Sequence, residues 1–154
     1  MDDIEIITLG PGDIGLMRGL NAMFGEAFED PEHYAAAPPD EAYLAKVLAR
    51  PQVVALAAIA DGRVVGGITA YELEKLEQAH SELYLYDLAV AESHRRRGVA
   101  TALIRRLQQI ARERGAWVVF VQADYGDDPA VALYSKLGVK EEVMHFDLPV
   151  AGDG

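Results

Sequence analysis

The sequence contains no cysteine, which excludes disulfide bonds, thiolate zinc sites and a cysteine nucleophile. Its four histidines have no spacing typical of paired metal ligands, so we expect no metal. No apolar run approaches the roughly 20 residues that a membrane-spanning helix needs, and the chain start lacks the basic residues of a signal peptide. We therefore expect a soluble, cytoplasmic protein that does not act on a membrane.

Basic residues are also scarce, since 14 Lys and Arg stand against 25 Asp and Glu and give a net charge of −11. Such a surface repels a phosphate backbone, which argues against nucleic acid as a partner. It attracts a cationic partner, although acidity also serves solubility. The run Arg95-Arg96-Arg97 is a local exception. The charge pattern therefore indicates an anion held at this run and a cation drawn to the rest of the surface.

Two common phosphate-binding strings are missing, because neither Gly-x-x-x-x-Gly-Lys-Ser/Thr nor Gly-x-Gly-x-x-Gly occurs. Residues 83–90 instead form an apolar, β-rich run, and apolar residues recur at helical spacing from Gly98 onward. The loop between this strand and this helix carries the three arginines. Backbone N–H groups at a helix start, with the positive end of the helix dipole, bind anions. The segment therefore predicts a phosphate site.

The remaining elements alternate between strand and helix, which predicts one α/β domain over residues 1–149 and a frayed tail over 150–154. We expect Asp13, Asp40 and Asp128 to cap three of the helices. The charged stretch 72–82 is compatible with a helix turn, a loop or strand ends. The other predicted strands cover 4–9, 53–60, 63–71, 116–123 and 139–148, and the predicted helices cover 13–28, 40–50, 98–114 and 130–137.

Two motifs resemble those of the GNAT family of N-acetyltransferases. The string from Arg95 to Ala100 resembles the family's Gln/Arg-x-x-Gly-x-Gly/Ala signature, and it follows a strand that ends in Leu-Ala-Val, as in the family. Residues 127–138 resemble Asn-x-x-Ala-x-x-x-Tyr-x-x-x-Gly, with Asp127 in place of the usual Asn. The resemblance covers nearly the whole chain. It implies a single-domain GNAT fold, in which helices flank a mixed, twisted central sheet.

The same resemblance implies that acetyl-CoA is the co-substrate. Its pantetheine arm would lie along the strand end and its pyrophosphate against the loop and helix start. Tyr134 matches the family tyrosine that protonates the leaving thiolate, although an aromatic core contact is an alternative role. The implied acetyl-CoA contacts are Leu88, Ala89, Val90, Arg95, Arg96, Arg97, Gly98, Val99, Ala100 and Thr101.

Longer stretches resemble the type I aminoglycoside 3-N-acetyltransferases, namely residues 86–90, 121–134 and 141–147. This narrower resemblance implies acetylation of the 3-amino group of an aminoglycoside and a homodimer. The charge argument agrees with it independently, because aminoglycosides carry several ammonium groups. Two alternatives remain, a GNAT enzyme for another cationic amine, such as a polyamine or a protein amino group, and a non-catalytic acyl-CoA-binding module.

The acceptor site is expected to consist of carboxylates. An ammonium group has no lone pair, so a base must first take its proton, and Asp87 is our first choice, with Asp124 or water as alternatives. Asp87 has a structural alternative, as a partner for a backbone N–H or an arginine. The residues expected to bind the acceptor are Asp124, Asp127, Glu141 and Glu142.

Overall fold

One mixed sheet forms the centre of the fold in the computed structural model, which describes residues 3–151. Its strands are β1 (Glu5–Thr8), β2 (Val53–Ala60), β3 (Arg63–Glu74), β4 (Ser81–Val90) and β5 (Ala116–Val121). They lie in chain order, and neighbouring strands are antiparallel except for the parallel pair β4 and β5. The predicted α/β fold with a mixed central sheet is confirmed.

The helices of residues 3–122 are α1 (Ile14–Ala27), α2 (Pro31–Ala36), α3 (Glu41–Leu48) and α4 (Val99–Arg114), with a 3₁₀ turn at Glu92–His94, and residues 123–151 contain α5 (Asp128–Leu137). A Cβ atom on Gly67 would collide with Leu20 of α1, and one on Gly66 would press against Val99 and Leu103 of α4. Adjacent strand residues point to opposite faces, so this pair of glycines lets α1 and α4 approach β3 closely from either side.

The helix starts agree only in part with the predicted caps. Asp40 accepts the Tyr43 N–H at 2.8 Å and caps α3 as predicted. Asp13 precedes α1, but its carboxylate accepts the Gly10 N–H at 2.7 Å and closes the preceding turn instead of capping the helix. Helix α2 is absent from the predicted elements. Its start is nevertheless readable, because Asp30 accepts the His33 N–H at 3.3 Å just before a proline in the first turn.

The charged stretch 72–82 consists of two strand ends and a hairpin tip. Strand β3 continues to Glu74 and β4 begins at Ser81, while the Lys75 N–H donates to the His80 carbonyl at 3.0 Å across the tip. Glu72 accepts from the Ser81 hydroxyl at 2.7 Å and from Arg114 at 2.8 Å. These contacts satisfy the half-buried Glu72 carboxylate, while Leu73 and Glu74 at the end of β3 are exposed, which explains how a polar stretch can continue two strands.

Residues 123–151 form a compact unit of their own, distinct from the unit of residues 3–122. They contain α5, and residues 139–150 have neither helix nor strand. The predicted strand 139–148 is therefore wrong. An alternating sequence favours extended chain, but a strand also needs a paired neighbour, and no ladder within the described residues includes this stretch. Of the predicted tail, residues 152–154 lie outside the described residues. None of the helices found in residues 3–151 combines the length and apolar character needed to cross a membrane.

Candidate active site

The end of β4 leaves one backbone edge open. Strand β5 pairs with β4 only as far as Leu85 and Val121, so residues 88–90 extend past the last pair. On the other edge, the Ala91 N–H donates to the Val65 carbonyl at 2.8 Å. Successive N–H groups of a strand point to opposite edges, so the Val90 N–H points to the edge away from β3. That edge can accept an extended, amide-containing ligand.

The start of α4 lies directly after this open edge in the chain. Gly98 occupies the N-cap position with φ +81°, and no side chain caps the helix. The first helical hydrogen bond runs from the Ala102 N–H to the Gly98 carbonyl at 3.0 Å, so the N–H groups of residues 99–101 are not used by the helix. Arg95 donates to the Val90 carbonyl at 3.1 Å and ties the loop to the strand end. The predicted acetyl-CoA contacts thus form one continuous strand, loop and helix start that can bind an anion.

Asp87 lies on β4, one residue before this strand end, and is half-buried. Its Oδ2 accepts a hydrogen bond of 2.8 Å from the Thr69 hydroxyl on β3. Burial raises the pKa of Asp87, while the Thr69 hydrogen bond and the nearby His33 lower it, and the net direction is upward. A carboxylate with a raised pKa is a stronger base than an exposed one.

A β-bulge decides which face of the sheet Asp87 occupies. Thr69 pairs with Asp87 and Ala70 pairs with Leu85, so Tyr86 is an extra residue on β4. Without it, Asp87 would share a face with the buried Leu85. Paired residues share a face, so the bulge places Asp87 on the same face as Thr69 and away from Leu85.

Four aromatic side chains line this face beside Asp87, and we call them the aromatic strip: Tyr71, Tyr84, Tyr86 and Phe120. Tyr84 stacks on Phe120 at 4.6 Å between ring centroids, and Tyr86 meets Tyr84 at 5.5 Å and Tyr71 at 5.8 Å edge to face. Burial is the main cause that raises the pKa of Tyr71 and Tyr84, and the charge of Asp87 raises both further. Sequence reasoning missed the strip, although two tyrosines in alternation before an aspartate are a readable signal.

Helix α2 contributes two further groups near Asp87. Tyr34 packs against Phe24 and Phe28, with centroid distances of 6.4 and 6.2 Å. Burial first, and then the charge of Asp87, raises the pKa of Tyr34 to about 12. His33 meets the Tyr34 ring edge to face at 5.3 Å. Asp87 therefore lies among phenols and one imidazole, a setting in which a protonated amine gains both charge pairing and ring contacts.

A polar cleft of about 350 Å³ lies between the end of α1 and the loop after β4. It is lined by Met23, Glu26, Ala27, Glu29, Ala91, Glu92 and Arg95. Its three carboxylates and single guanidinium make it suited to a cationic group. Because Ala91 and Arg95 adjoin the strand end, the cleft continues the surface that surrounds Val90.

The other predicted site residues lie in residues 123–151. Tyr134 is on α5, where burial and then the charge of Asp127 raise its pKa to about 12, so the phenol keeps its proton at neutral pH. The cap of α5 is Asp127, which accepts the Ala130 N–H at 3.4 Å, and the predicted cap Asp128 is the first helical residue. The predicted cap therefore lies one residue too far along the chain.

The predicted acceptor carboxylates differ in what they contact. Glu142 accepts from the Tyr125 hydroxyl at 3.0 Å, and this contact raises the pKa of Tyr125. Glu141 and Asp124 are both exposed. The Asp124 carbonyl accepts the Asp127 N–H at 3.2 Å, so the loop before α5 is closed by its own backbone.

A sequence model of the acetyltransferase (GNAT) family matches residues 17–139. The chain belongs to this family. The match includes the open edge of β4, the start of α4 and Tyr134, which are the features that the two sequence motifs single out. The single α/β GNAT fold predicted from those motifs is confirmed.

Solved GNAT structures give a closer comparison. An aminoglycoside acetyltransferase from an uncultured soil metagenomic sample is 53% identical, with a TM-score of 0.94 over 97% of this chain and 99% of that one. Another such enzyme, solved in complex with sisomicin, is 31% identical, with a TM-score of 0.88 over 96% of each chain.

Curated relatives match over a shorter stretch. N-acetyltransferase 8B of Rattus norvegicus is 32% identical over 84 residues, which are 54% of this chain. N-acetyltransferase 8 of Homo sapiens is 33% identical over a similar stretch of 84 residues. The matched stretch spans 38% and 37% of the length of these two relatives.

Proposed function

We propose that this chain transfers the acetyl group of acetyl-CoA to an aminoglycoside, and that the acceptor is the 3-amino group. The observation that carries the proposal is the half-buried Asp87 carboxyl, which lies beside the aromatic strip and immediately before the open edge of β4. The likeness to two metagenomic aminoglycoside acetyltransferases supports the substrate class. The choice of the 3-amino group rests on the resemblance of residues 86–90, 121–134 and 141–147 to the type I enzymes.

In this proposal acetyl-CoA binds along the segment from Leu88 to Thr101. The pantetheine amides pair with the open edge at residues 88–90, and the pyrophosphate accepts from the unused N–H groups of residues 99–101. The arginines at 95–97 add positive charge in an otherwise acidic chain. No metal takes part in this scheme.

The acceptor binds as a polycation. The aromatic strip offers ring faces to the sugar and its ammonium groups, and Asp87 offers a negative charge beside them. Asp124, Glu141 and Glu142 hold further ammonium groups, as the sequence predicts. Asp127 takes a smaller share of this binding, because one of its oxygens already caps α5.

The proposed reaction is a direct transfer. Asp87 takes a proton from the acceptor ammonium, and the neutral amine attacks the thioester carbonyl. The Val90 N–H, directed to the open edge, stabilises the oxyanion of the tetrahedral intermediate. The C–S bond then breaks, Tyr134 donates its phenolic proton to the departing thiolate, and the acetylated nitrogen releases its second proton, which restores the phenol. A phenol with a pKa of about 12 is protonated in the resting enzyme, as this role requires.

The decisive experiment combines acetyl-CoA with a panel of acceptors, namely gentamicin, sisomicin, a polyamine and a peptide with a free amino terminus. Released thiol measures turnover, and NMR of the product identifies the acetylated nitrogen. The proposal expects turnover with the aminoglycosides and acetylation at nitrogen 3. Turnover only with the polyamine or the peptide would show that the acceptor is not an aminoglycoside. Absence of thiol release with every acceptor would favour a non-catalytic acyl-CoA-binding module.

A further inference from the structure

We infer that Thr69 is a positioning residue, whose hydroxyl fixes and tunes the Asp87 carboxylate for proton transfer. This inference rests on the proposed function, in which Asp87 is the base. Thr69 lies on the central strand β3 and is paired directly with Asp87 across the ladder. Neither sequence motif includes it.

Thr69 acts first on the orientation of the Asp87 carboxylate. The bulge at Tyr86 turns Asp87 onto the face of the aromatic strip, but a carboxylate can still rotate about its own bond. The 2.8 Å hydrogen bond from the Thr69 hydroxyl engages Oδ2 and leaves Oδ1 for the acceptor amine. Threonine suits this task, because a β-branched side chain on a strand has little rotational freedom.

Thr69 also acts on the charge state of Asp87. Burial raises the pKa of Asp87, and the hydrogen bond from Thr69 opposes that rise by stabilising the ionised form. Without the hydroxyl, more of the enzyme would carry a protonated Asp87 that cannot accept a proton. Burial thus makes Asp87 more basic than an exposed aspartate, and Thr69 limits that rise so that more of the carboxyl stays in its charged form.

Other titratable groups face Asp87, and any effect of these groups on its pKa must be distinguished from that of Thr69. Helix α2 contributes His33 and Tyr34, β3 contributes Tyr71, and β4 itself contributes Tyr84. The phenols of Tyr34, Tyr71 and Tyr84 have raised pKa values and stay neutral in the range where a carboxyl titrates. His33 lowers the pKa of Asp87 through its charge, so each measurement is repeated in a His33→Gln background.

The experiment compares Thr69→Val, which keeps the shape but removes the hydroxyl, with Thr69→Ser, which restores it. The Asp87 carboxyl pKa is measured by carbon NMR, and kcat/KM for sisomicin is measured against pH. In Thr69→Val we expect the carboxyl pKa and the acidic limb of the profile to rise together by about one pH unit. We also expect kcat to fall about tenfold with an unchanged KM for acetyl-CoA. Thr69→Ser should restore all three quantities.

Each contrary result has a separate meaning. The inference would be overturned if the Asp87 pKa were the same in the wild type and in Thr69→Val. It would also be overturned if that pKa shifted while the acidic limb of the kcat/KM profile stayed in place. If the wild type acetylates no aminoglycoside, the proposed function fails. The NMR titration still tests the role of Thr69 in that case. A raised Asp87 pKa in Thr69→Val supports the proposed effect of the hydroxyl on the carboxylate, and an unchanged pKa refutes it.

Discussion

At the scale of single residues, the environment of Asp87 is what distinguishes it from the other acidic side chains of this chain. Partial burial favours its protonated form, whereas Thr69 and His33 favour the charged form. The net upward shift means that the carboxyl ionises at a higher pH than an exposed aspartate. A base is active only when ionised, so activity should be lost as the pH falls through this raised pKa.

Replacement of Asp87 by Asn should therefore lower kcat/KM for sisomicin by roughly 10²- to 10⁴-fold at neutral pH, the range usual for loss of a general base. The acidic limb of the pH profile should disappear with the carboxyl, and binding of acetyl-CoA should stay unchanged. The matched control is Asp61→Asn in the exposed turn between β2 and β3, where Asn tolerates the positive φ of 51°. Steady-state kinetics with both variants test this. If Asp87→Asn keeps both its activity and the acidic limb of its pH profile, Asp87 has only a structural role.

At the scale of elements, most strands and helices follow from periodicity, whereas the acceptor face does not. Alternation across residues 81–90 would place Asp87 on the same face as Leu85, and only the bulge at Tyr86 reverses this. A bulge depends on how two strands pair, so the sequence of one strand cannot reveal it. The strand predicted at 139–148 is wrong for a related reason. Alternation is a property of one segment, whereas a β-ladder requires two paired segments.

The start of α4 gives the sharpest test at this scale. Gly98→Val should weaken CoA binding more than tenfold, since a β-branched side chain at φ +81° strains the turn and intrudes on the anion site. Gly115→Val is the matched control, because Gly115 has φ +76° at the other end of the same helix. A Cβ atom meets no heavy atom within 4 Å at either glycine. Both variants should lose similar stability, about 1–2 kcal/mol for a left-handed residue, but only Gly98→Val should lose CoA affinity. Calorimetry that finds equal affinities for CoA would refute the anion site.

The aromatic strip can be tested through Tyr86, which is both a strip residue and the extra residue of the bulge. Tyr86→Leu keeps an apolar side chain but removes the ring, so KM for sisomicin should rise about three- to tenfold while KM for acetyl-CoA is unchanged. Trp117→Leu is a suitable control, because Trp117 is 62% exposed against 61% for Tyr86 and stacks instead on His80. Equal KM values for sisomicin in the two variants would exclude the strip from acceptor binding.

At the scale of the whole molecule, the two substrates carry opposite charges and meet one acidic chain. The net charge of −11 attracts a polycationic aminoglycoside over a distance, while acetyl-CoA, an anion, depends on the local site at the arginine run and the start of α4. Long-range attraction is screened by salt much more than short, partly buried contacts are. The two Michaelis constants should therefore respond differently to ionic strength.

We expect KM for sisomicin to rise several-fold between low salt and about 0.5 M salt, where the screening length falls to a few ångströms, and KM for acetyl-CoA to change much less. Asp124→Asn should raise KM for sisomicin at low salt, and added salt should then have a smaller further effect, because part of the attraction is already gone. The Asp61→Asn variant removes the same charge from the exposed turn between β2 and β3, and so separates net charge from position. If salt shifts both constants equally, or if the two variants behave alike, the acidic surface serves solubility and the carboxylate at Asp124 does not hold the acceptor.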